Sequence, residues 1–478
     1  MSRSADVLAI SLISHTNAGK TTLARTLLGR DVGEVLDQAH VTEESERFVL
    51  LDTPAKAGRQ HTGSIVLWDN PGFGDSARLV ARLEAHDDPL AWLAEQRFER
   101  PQDKPLRSSQ RAVANVREHA DVILYLVNAS EDPATAGYVE PEMRILGWLD
   151  RPVIVLLNQT GSPVDTRARR KGEERWRWHV ASHAAVRDVV SLDAFSRCWV
   201  QEGLLLLRLG AFAPEARAAQ MDALIEGWRE QRIAALTGSV EALTALLWDA
   251  ARDAEAVPAG WLQPLERRRA AGVLAKRLAG AARRSNDALI ELHRLEGHGA
   301  AWARGQLEDV ALPGQRPDPL RSGMIGGAVG GAVGGLAADL AAGGLSLGGG
   351  VLAGALLGML GLGGLAWAFE QLAGPGAPRV VWSGDYLTRL AHQSVLRYLA
   401  LAHFGRGTGA FRERIEPEFW RPVVERACND RGLARAWKQA RSGGPDVRDR
   451  IAGLLDAAIR GCLTDLYPGA ERFLERGE

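Results

Sequence analysis

Ser14-His15-Thr16-Asn17-Ala18-Gly19-Lys20-Thr21-Thr22 follows the apolar run Val7 to Ile13 and precedes the helix-forming run Leu23 to Leu28. A strand, a Gly-Lys-Thr turn and a helix in that order are the context of a phosphate-binding loop. Such a turn aims the N–H groups of Ala18, Gly19, Lys20, Thr21 and Thr22 inward from a helix N-terminus. Lys20 is then placed to reach the β and γ phosphates of a nucleoside triphosphate, and the Thr21 hydroxyl to hold Mg²⁺. Ser14 stands where such loops usually begin with glycine.

The rest of a nucleotide site is expected in order along the chain. Ile65-Val66-Leu67-Trp68 reads as a strand ending at Asp69-Asn70-Pro71-Gly72. Asp69 would hold the magnesium through water, and the Gly72 amide would sense the γ-phosphate. Asp52-Thr53-Pro54 is a decoy, lacking a glycine at the matching place. Thr42, in the segment Asp37 to Glu43, is the candidate switch threonine that completes the magnesium shell. Val122 to Val127 and Pro152 to Leu157 are nearly continuous apolar runs, as strands covered on both faces should be. The second ends at Asn158-Gln159-Thr160-Gly161, the place of a base-reading Asn-Lys-x-Asp, with glutamine and glycine replacing lysine and aspartate. Ser191, after Val189-Val190, falls where a last base-contacting turn belongs, and the backbone there is available to read guanine O6.

The chain has 478 residues, enough for roughly two to four domains. A net charge of -1 supplies no field for nucleic acid, which is therefore not expected as a partner. Cys198, Cys428 and Cys462 lie far apart and form no metal cluster, which fits a reducing cytoplasm. Met1 to Asp6 runs straight into the first strand without a secretion signal.

Residues 5 to about 210 alternate strand-like and helical runs, the pattern of a parallel sheet. Helices are expected at 88–99 and 108–118 in an insert, and an Arg-rich amphipathic helix carrying Trp176 and Trp178 at 166–181. Beyond Pro214 almost nothing reads as strand, and helical stretches cover about 215–253, 262–296, 382–403 and 416–464. The expected fold is an α/β phosphate-loop domain (1–212) followed by an all-α domain in two parts (213–320 and 376–478). A glycine-rich helical hairpin at 321–375 lies between those parts.

Met324 to Ala338 is wholly apolar, and Leu340 to Phe369 is interrupted by Ser346. Two helices of about 18 and 22 residues would span roughly 27 and 33 Å, close to the hydrocarbon thickness of a bilayer. Gly323, Gly327, Gly331 and Gly335 recur every four residues, as do Gly350, Gly354 and Gly358. Such faces let helices approach closely in lipid. Arg316, Arg321, Arg379 and Arg389 flank the stretch and would keep both ends cytoplasmic. A glycine-packed hairpin inside the helical domain is the alternative.

Asn17 in Asn-Ala-Gly-Lys-Thr resembles the asparagine of GTPases in which that residue helps coordinate K⁺ beside the β/γ bridge. Phe73 resembles the apolar residue that such enzymes carry where Ras-like proteins have a catalytic glutamine, which implies slow intrinsic hydrolysis. The whole chain resembles a bacterial GTPase family whose C-terminal half is catalogued as a domain of unknown function, number 3482. The resemblance rests on the loop, Arg30 to Val35, Thr42, Asp69-Asn70-Pro71-Gly72 and Val127-Asn128-Ala129. It extends to Ala338-Asp339-Leu340 and Gly343 to Leu347. It implies a GTPase domain of the Era/tRNA-modification class that uses GTP/GDP and Mg²⁺, followed by a membrane-like segment.

The leading expectation is a GTP-hydrolysing switch at the cytoplasmic face of a membrane, forming a homo-oligomer or nucleotide-dependent dimer. A dynamin-like remodelling protein, a nucleotide-gated pore or effector, and a soluble cytoplasmic ribosome or RNA assembly GTPase are the alternatives.

Overall fold

The computed structural model describes residues 6–16, 18–28, 44–52, 63–159, 166–192, 198–258, 263–293, 368–372, 377–403, 419–444 and 446–475. Asn17, Arg30 to Val35, Thr42, Thr160, Gly161 and Asp193 lie outside them, as does the glycine-rich stretch up to Trp367. The chain divides into two compact units. The first comprises Met1–Ile233, Ala402–Glu413 and Leu466–Glu478; the second comprises Ala234–Leu401 and Arg414–Asp465.

The first unit is built on a six-stranded sheet of order β2-β3-β1-β4-β5-β6. Its strands are β1 (Asp6–Ser14), β2 (Glu46–Asp52), β3 (Ser64–Asp69), β4 (Val122–Asn128), β5 (Val153–Asn158) and β6 (Val186–Ser191). All pair in parallel except β2, which runs antiparallel to β3 at the edge. β5 is buried along its whole length, and β4 up to its last residue. Helices over both faces of a parallel sheet demand such apolar runs.

The helices of this unit are α1 (Lys20–Leu28), α2 (Ser76–Leu83), α3 (Pro89–Glu95), α4 (Lys104–His119), α5 (Val139–Trp148), α6 (Thr166–His179) and α7 (Trp199–Gly210). Local chemistry fixes several starts. Asp75 caps α2 by accepting from the Arg78 amide at 3.1 Å. Asp88 caps α3 by accepting from the Ala91 amide at 2.9 Å, with Pro89 at the first helical position, where a missing N–H costs nothing. The expected insert helices thus form as α3 and α4. The Arg-rich helix forms as α6, with Trp176 fully buried and Trp178 83% exposed.

α8 (Ala218–Arg252) gives its residues up to Ile233 to the first unit and the remainder to the second. Among the described residues, Glu215–Arg252 is the one helical stretch long and apolar enough to cross a membrane. Its sequence argues for a core helix instead. Glu226, Arg229, Glu230 and Arg232 sit mid-length, where a bilayer would charge heavily for them. Met221, Leu224, Trp228, Leu236, Leu243 and Leu247 are already buried in protein.

In the first unit the C-terminal segment closes over α7 and the start of α8. Its short helix Glu471–Leu474 sets the Phe473 ring 5.9 Å from Trp228, edge-on at 80°. A Cβ at Gly203 of α7 would come within 2.8 Å of both rings, so only glycine admits them there. The Arg169 guanidinium lies 4.8 Å from the Tyr467 ring centre, and Arg169 Nη1 donates to the Leu466 carbonyl at 3.1 Å.

The second unit is helical, as expected, around α9 (Gln263–Leu292), α10 (Gly384–Ala402), α11 (Trp420–Ala427), α12 (Asp430–Arg441) and α13 (Val447–Leu466). It also holds a small antiparallel sheet, with β9 (Arg379–Trp382) between β7 (Ala254–Ala256) and β8 (Phe369–Leu372). The end of the apolar stretch, at Phe369, is therefore strand rather than helix. Trp382 is stacked between Phe369 and Tyr386, at 4.5 and 4.4 Å, and anchors that sheet in the core.

Candidate functional site

β1 lies between β3 and β4, so the connections from the sheet centre leave in opposite directions and open a crevice at the strands' carboxyl ends. Ser14, Asp69, Asn128, Asn158 and Ser191 are the last residues of β1, β3, β4, β5 and β6. The topology therefore brings the expected loop, magnesium and base-side residues to one edge.

Gly19 has φ +87°, a conformation that glycine adopts without strain. A Cβ there would stand 2.7 Å from Asn158 Nδ2. Asn158 is fully buried, and its Nδ2 donates to the Ala18 carbonyl at 2.8 Å, tying the base-side strand to the phosphate loop. Gln159, with φ +55°, carries its amide to the same turn: its Nε2 lies 3.3 Å from that ideal Cβ position.

Lys20 opens α1 and is 8% exposed. Its Nζ donates to Ser14 Oγ at 2.9 Å, so the residue that replaces the usual glycine holds the lysine head. Burial pulls the Lys20 pKa below the ordinary lysine range, while the negative charges of Asp69 and Glu142 oppose that shift. Thr22 is buried on the inner face of α1. Gly72 packs onto the lysine: a Cβ there would lie 3.1 Å from Lys20 Nζ and 3.2 Å from Thr16 Cα.

Asp69 tests whether a magnesium ion fits. Its Oδ2 accepts from Thr21 Oγ1 at 2.7 Å, while its Oδ1 is buried with no hydrogen-bond partner. Burial raises the Asp69 pKa, with Lys20 and the Thr21 hydrogen bond pulling the other way. A desolvated carboxylate with one oxygen unspent, beside a threonine hydroxyl, suits a hydrated divalent cation. The residues fit the ion.

Three placements refine the sequence expectations. Phe73 is wholly buried in the core, and its amide donates to the Ser14 carbonyl at 2.9 Å, so its side chain faces away from the crevice. The Ser191 amide donates to Glu173 Oε1 at 3.0 Å, and the next amide, Leu192, to the Leu157 carbonyl at 3.1 Å. Both donors that the last base-side turn offers here are thus engaged within the protein. Asp52 ends the edge strand β2 and is exposed, far along the sheet from the carboxyl end of β3, with which it pairs at Ser64.

Sequence reasoning missed several residues. Asn70 Nδ2 donates to the Leu12 carbonyl at 3.2 Å and its Oδ1 accepts from Ser45 Oγ at 2.8 Å, joining β1, β3 and the approach to β2. Glu142 on α5 is fully buried beside the phosphate loop. Its signal was available: Glu142 falls on the helix face of Val139, Met143 and Leu146, where a lone carboxylate is out of place.

The family model for 50S ribosome-binding GTPases matches residues 9–159. Residues 9–159 belong to a P-loop GTPase domain. Among solved structures, the chain is similar to Era in complex with MgGDPNP and nucleotides 1506–1542 of 16S ribosomal RNA, at 20% identity and a TM-score of 0.32. That match covers 44% of this chain and 58% of the Era chain. An Aquifex aeolicus Era variant bound to GDP and AlF4⁻ is similar at 16% identity and a TM-score of 0.32, over 60% of this chain and 89% of that one. A probable GTP-binding protein engB is similar at 16% identity and a TM-score of 0.24, over 39% and 88%. No curated protein matches. The GTPase assignment rests on sheet order, loop geometry and the family match.

The partner expectation needs a correction. Nucleic acid was not expected on net charge, yet the Era structure to which this chain is similar holds a ribosomal RNA fragment. The physical flaw is that net charge sums a whole chain, whereas RNA meets one face. In α6 alone, Arg167, Arg170, Lys171 and Arg175 are exposed.

Proposed function

We propose that this chain is a GTP-binding and GTP-hydrolysing switch protein that works with Mg²⁺. The observation that carries the reading is the Asp69 carboxylate, buried with one oxygen unspent and the other on Thr21, beside the buried Lys20. Bound magnesium would neutralise charge building up between the β and γ phosphates. Lys20 would leave Ser14 for the phosphates, Thr21 and Asp69 would hold the ion directly and through water, and the Ala18 to Thr22 amides would cradle the phosphate chain.

Guanine is the base we assign, on the family match and on Asn158, whose tie to Ala18 fixes the base-side strand against the loop. With Phe73 in the core and no glutamine after Gly72, intrinsic hydrolysis is slow. Asn17 as a potassium ligand and Thr42 as the switch threonine belong to the same reading. So does the kinship to GTPases with the C-terminal domain of unknown function 3482. Association with a membrane rests on the glycine spacing and apolar length of residues 323–369.

Binding of fluorescent GTP and ATP analogues to the full-length protein, with turnover in KCl and in NaCl, tests the assignment. Expected are preference for guanine, loss of binding in Lys20→Ala and faster turnover in potassium. Undiminished binding by Lys20→Ala would overturn the site, and equal rates in the two salts the potassium role. Recovery of the full-length protein in the soluble fraction without detergent would overturn the membrane reading.

A further inference from the structure

Glu142 joins three parts of the GTPase domain through one carboxylate. Its Oε1 accepts from Ser76 Oγ at 2.7 Å and lies 2.7 Å from His15 Nδ1, while its Oε2 accepts from Tyr125 OH at 2.6 Å. His15 is the second residue of the phosphate loop, Ser76 the first of α2, and Tyr125 sits in the middle of β4. The His15 ring also stacks on Tyr138, just before α5, at 4.5 Å. None of the Glu142 side chain is exposed.

Burying a carboxylate costs several kcal/mol, so packing alone would be better served by leucine at this position. What the carboxylate does that leucine cannot is accept from several donors at once. One of them, Ser76, ends the segment that carries Gly72. At one end of that segment the Phe73 amide donates to the Ser14 carbonyl at 2.9 Å; at the other, Ser76 is held by Glu142. Along the same stretch Asn70 bonds Leu12 and Ser45, and the Gly74 amide donates to Ser109 Oγ at 3.1 Å; the fastening where the stretch enters α2 is the one that depends on Glu142.

We propose that Glu142 is a positioning residue that holds the phosphate loop at His15 and the start of α2 at Ser76 in register, thereby setting the Gly72 amide against Lys20 for turnover. The proposal rests on the GTPase reading above. Nucleotide affinity comes from Lys20, the Ala18 to Thr22 amides and Asn158, none of which bonds to Glu142, so releasing the tie slows turnover more than it weakens binding. A displacement of 1 Å is enough to cost a factor of a hundred in rate.

The test measures kcat for GTP and affinity for GDP in full-length wild type, Ser76→Ala, Glu142→Gln and the double variant. The expected result is a loss in kcat of roughly tenfold or more in each single variant. GDP affinity should stay within about twofold of wild type, and the double variant should be no slower than the worse single one, because the Ser76 contact is one of those that Glu142→Gln already disturbs. A Ser76→Ala variant that turns over GTP at the wild-type rate overturns the proposal, as do losses that multiply in the double variant or a fall in GDP affinity equal to that in kcat. Ser76→Ala keeps the question open to refutation even if Glu142→Gln fails to fold. A wild type that turns over no GTP would instead overturn the GTPase reading beneath it.

Discussion

Gly19 carries two constraints at once, a left-handed φ of +87° and a neighbour, Asn158 Nδ2, 2.7 Å from where a Cβ would sit. An alanine there would pay about 1 kcal/mol or more in backbone strain and would push on the amide that bonds Ala18. Gly19→Ala is therefore expected to weaken guanine nucleotide binding at least roughly tenfold, which titration calorimetry would measure; unchanged affinity would refute the packing argument. Much of this was legible beforehand. Lys20, Thr21 and Asp69 follow from a motif whose spacing is set by the phosphates and ion it serves. Glu142 and Asn70 were not, because their partners lie 127 and 58 residues away for His15 and Leu12, and no local pattern encodes such pairs.

At the level of elements, hydrophobic periodicity located β1, β3, β4, β5 and the long helices. It did not reveal β2, whose Glu46-Arg47 start and half-exposed face belong to an edge strand without clean alternation. The short strands β7, β8 and β9 have too few residues to display a period. In the second unit, α11 and α13 approach closely at Gly461, where a Cβ would lie 3.6 Å from that of Ala427. Cys428 and Cys462 sit at this crossing. Burial pushes both thiols up to about 12, with Asp430 adding to the shift at Cys428, and with Cys428 and Asp465 adding to it at Cys462. A thiol in the unfolded chain ionises near 8.5. Its raised native value therefore contributes stability that is complete below that pH and lost as pH rises toward 12. The urea midpoint of the protein should fall between pH 9 and about 11, and fall less in a Cys428→Ala, Cys462→Ala variant. Equal declines would show that the thiols carry none of it.

For the molecule as a whole, the sequence announced a GTPase domain followed by helices, and both are present. It gave no sign that the last described residues complete the first unit, because Phe473 and Tyr467 belong to an ordinary-looking helical tail. Truncating Phe473 to alanine would open a hole beside Trp228 and Gly203 and cost about 3–5 kcal/mol. The expected outcome is a lower urea midpoint for the first unit, followed by the fluorescence of bound nucleotide. A midpoint equal to wild type would mean that the tail only lies on the surface.

That placement of Phe473 also bears on synthesis. A ribosome delivers the sheet and α7 first, and domains usually fold in the order in which they emerge. Here the ring that packs against Trp228 is translated some 245 residues after it, as the numbering shows. Until then Trp228 has Trp199 and Gly203 of α7 as neighbours but lacks the aromatic edge that Phe473 sets against it, so the first unit packs this corner late.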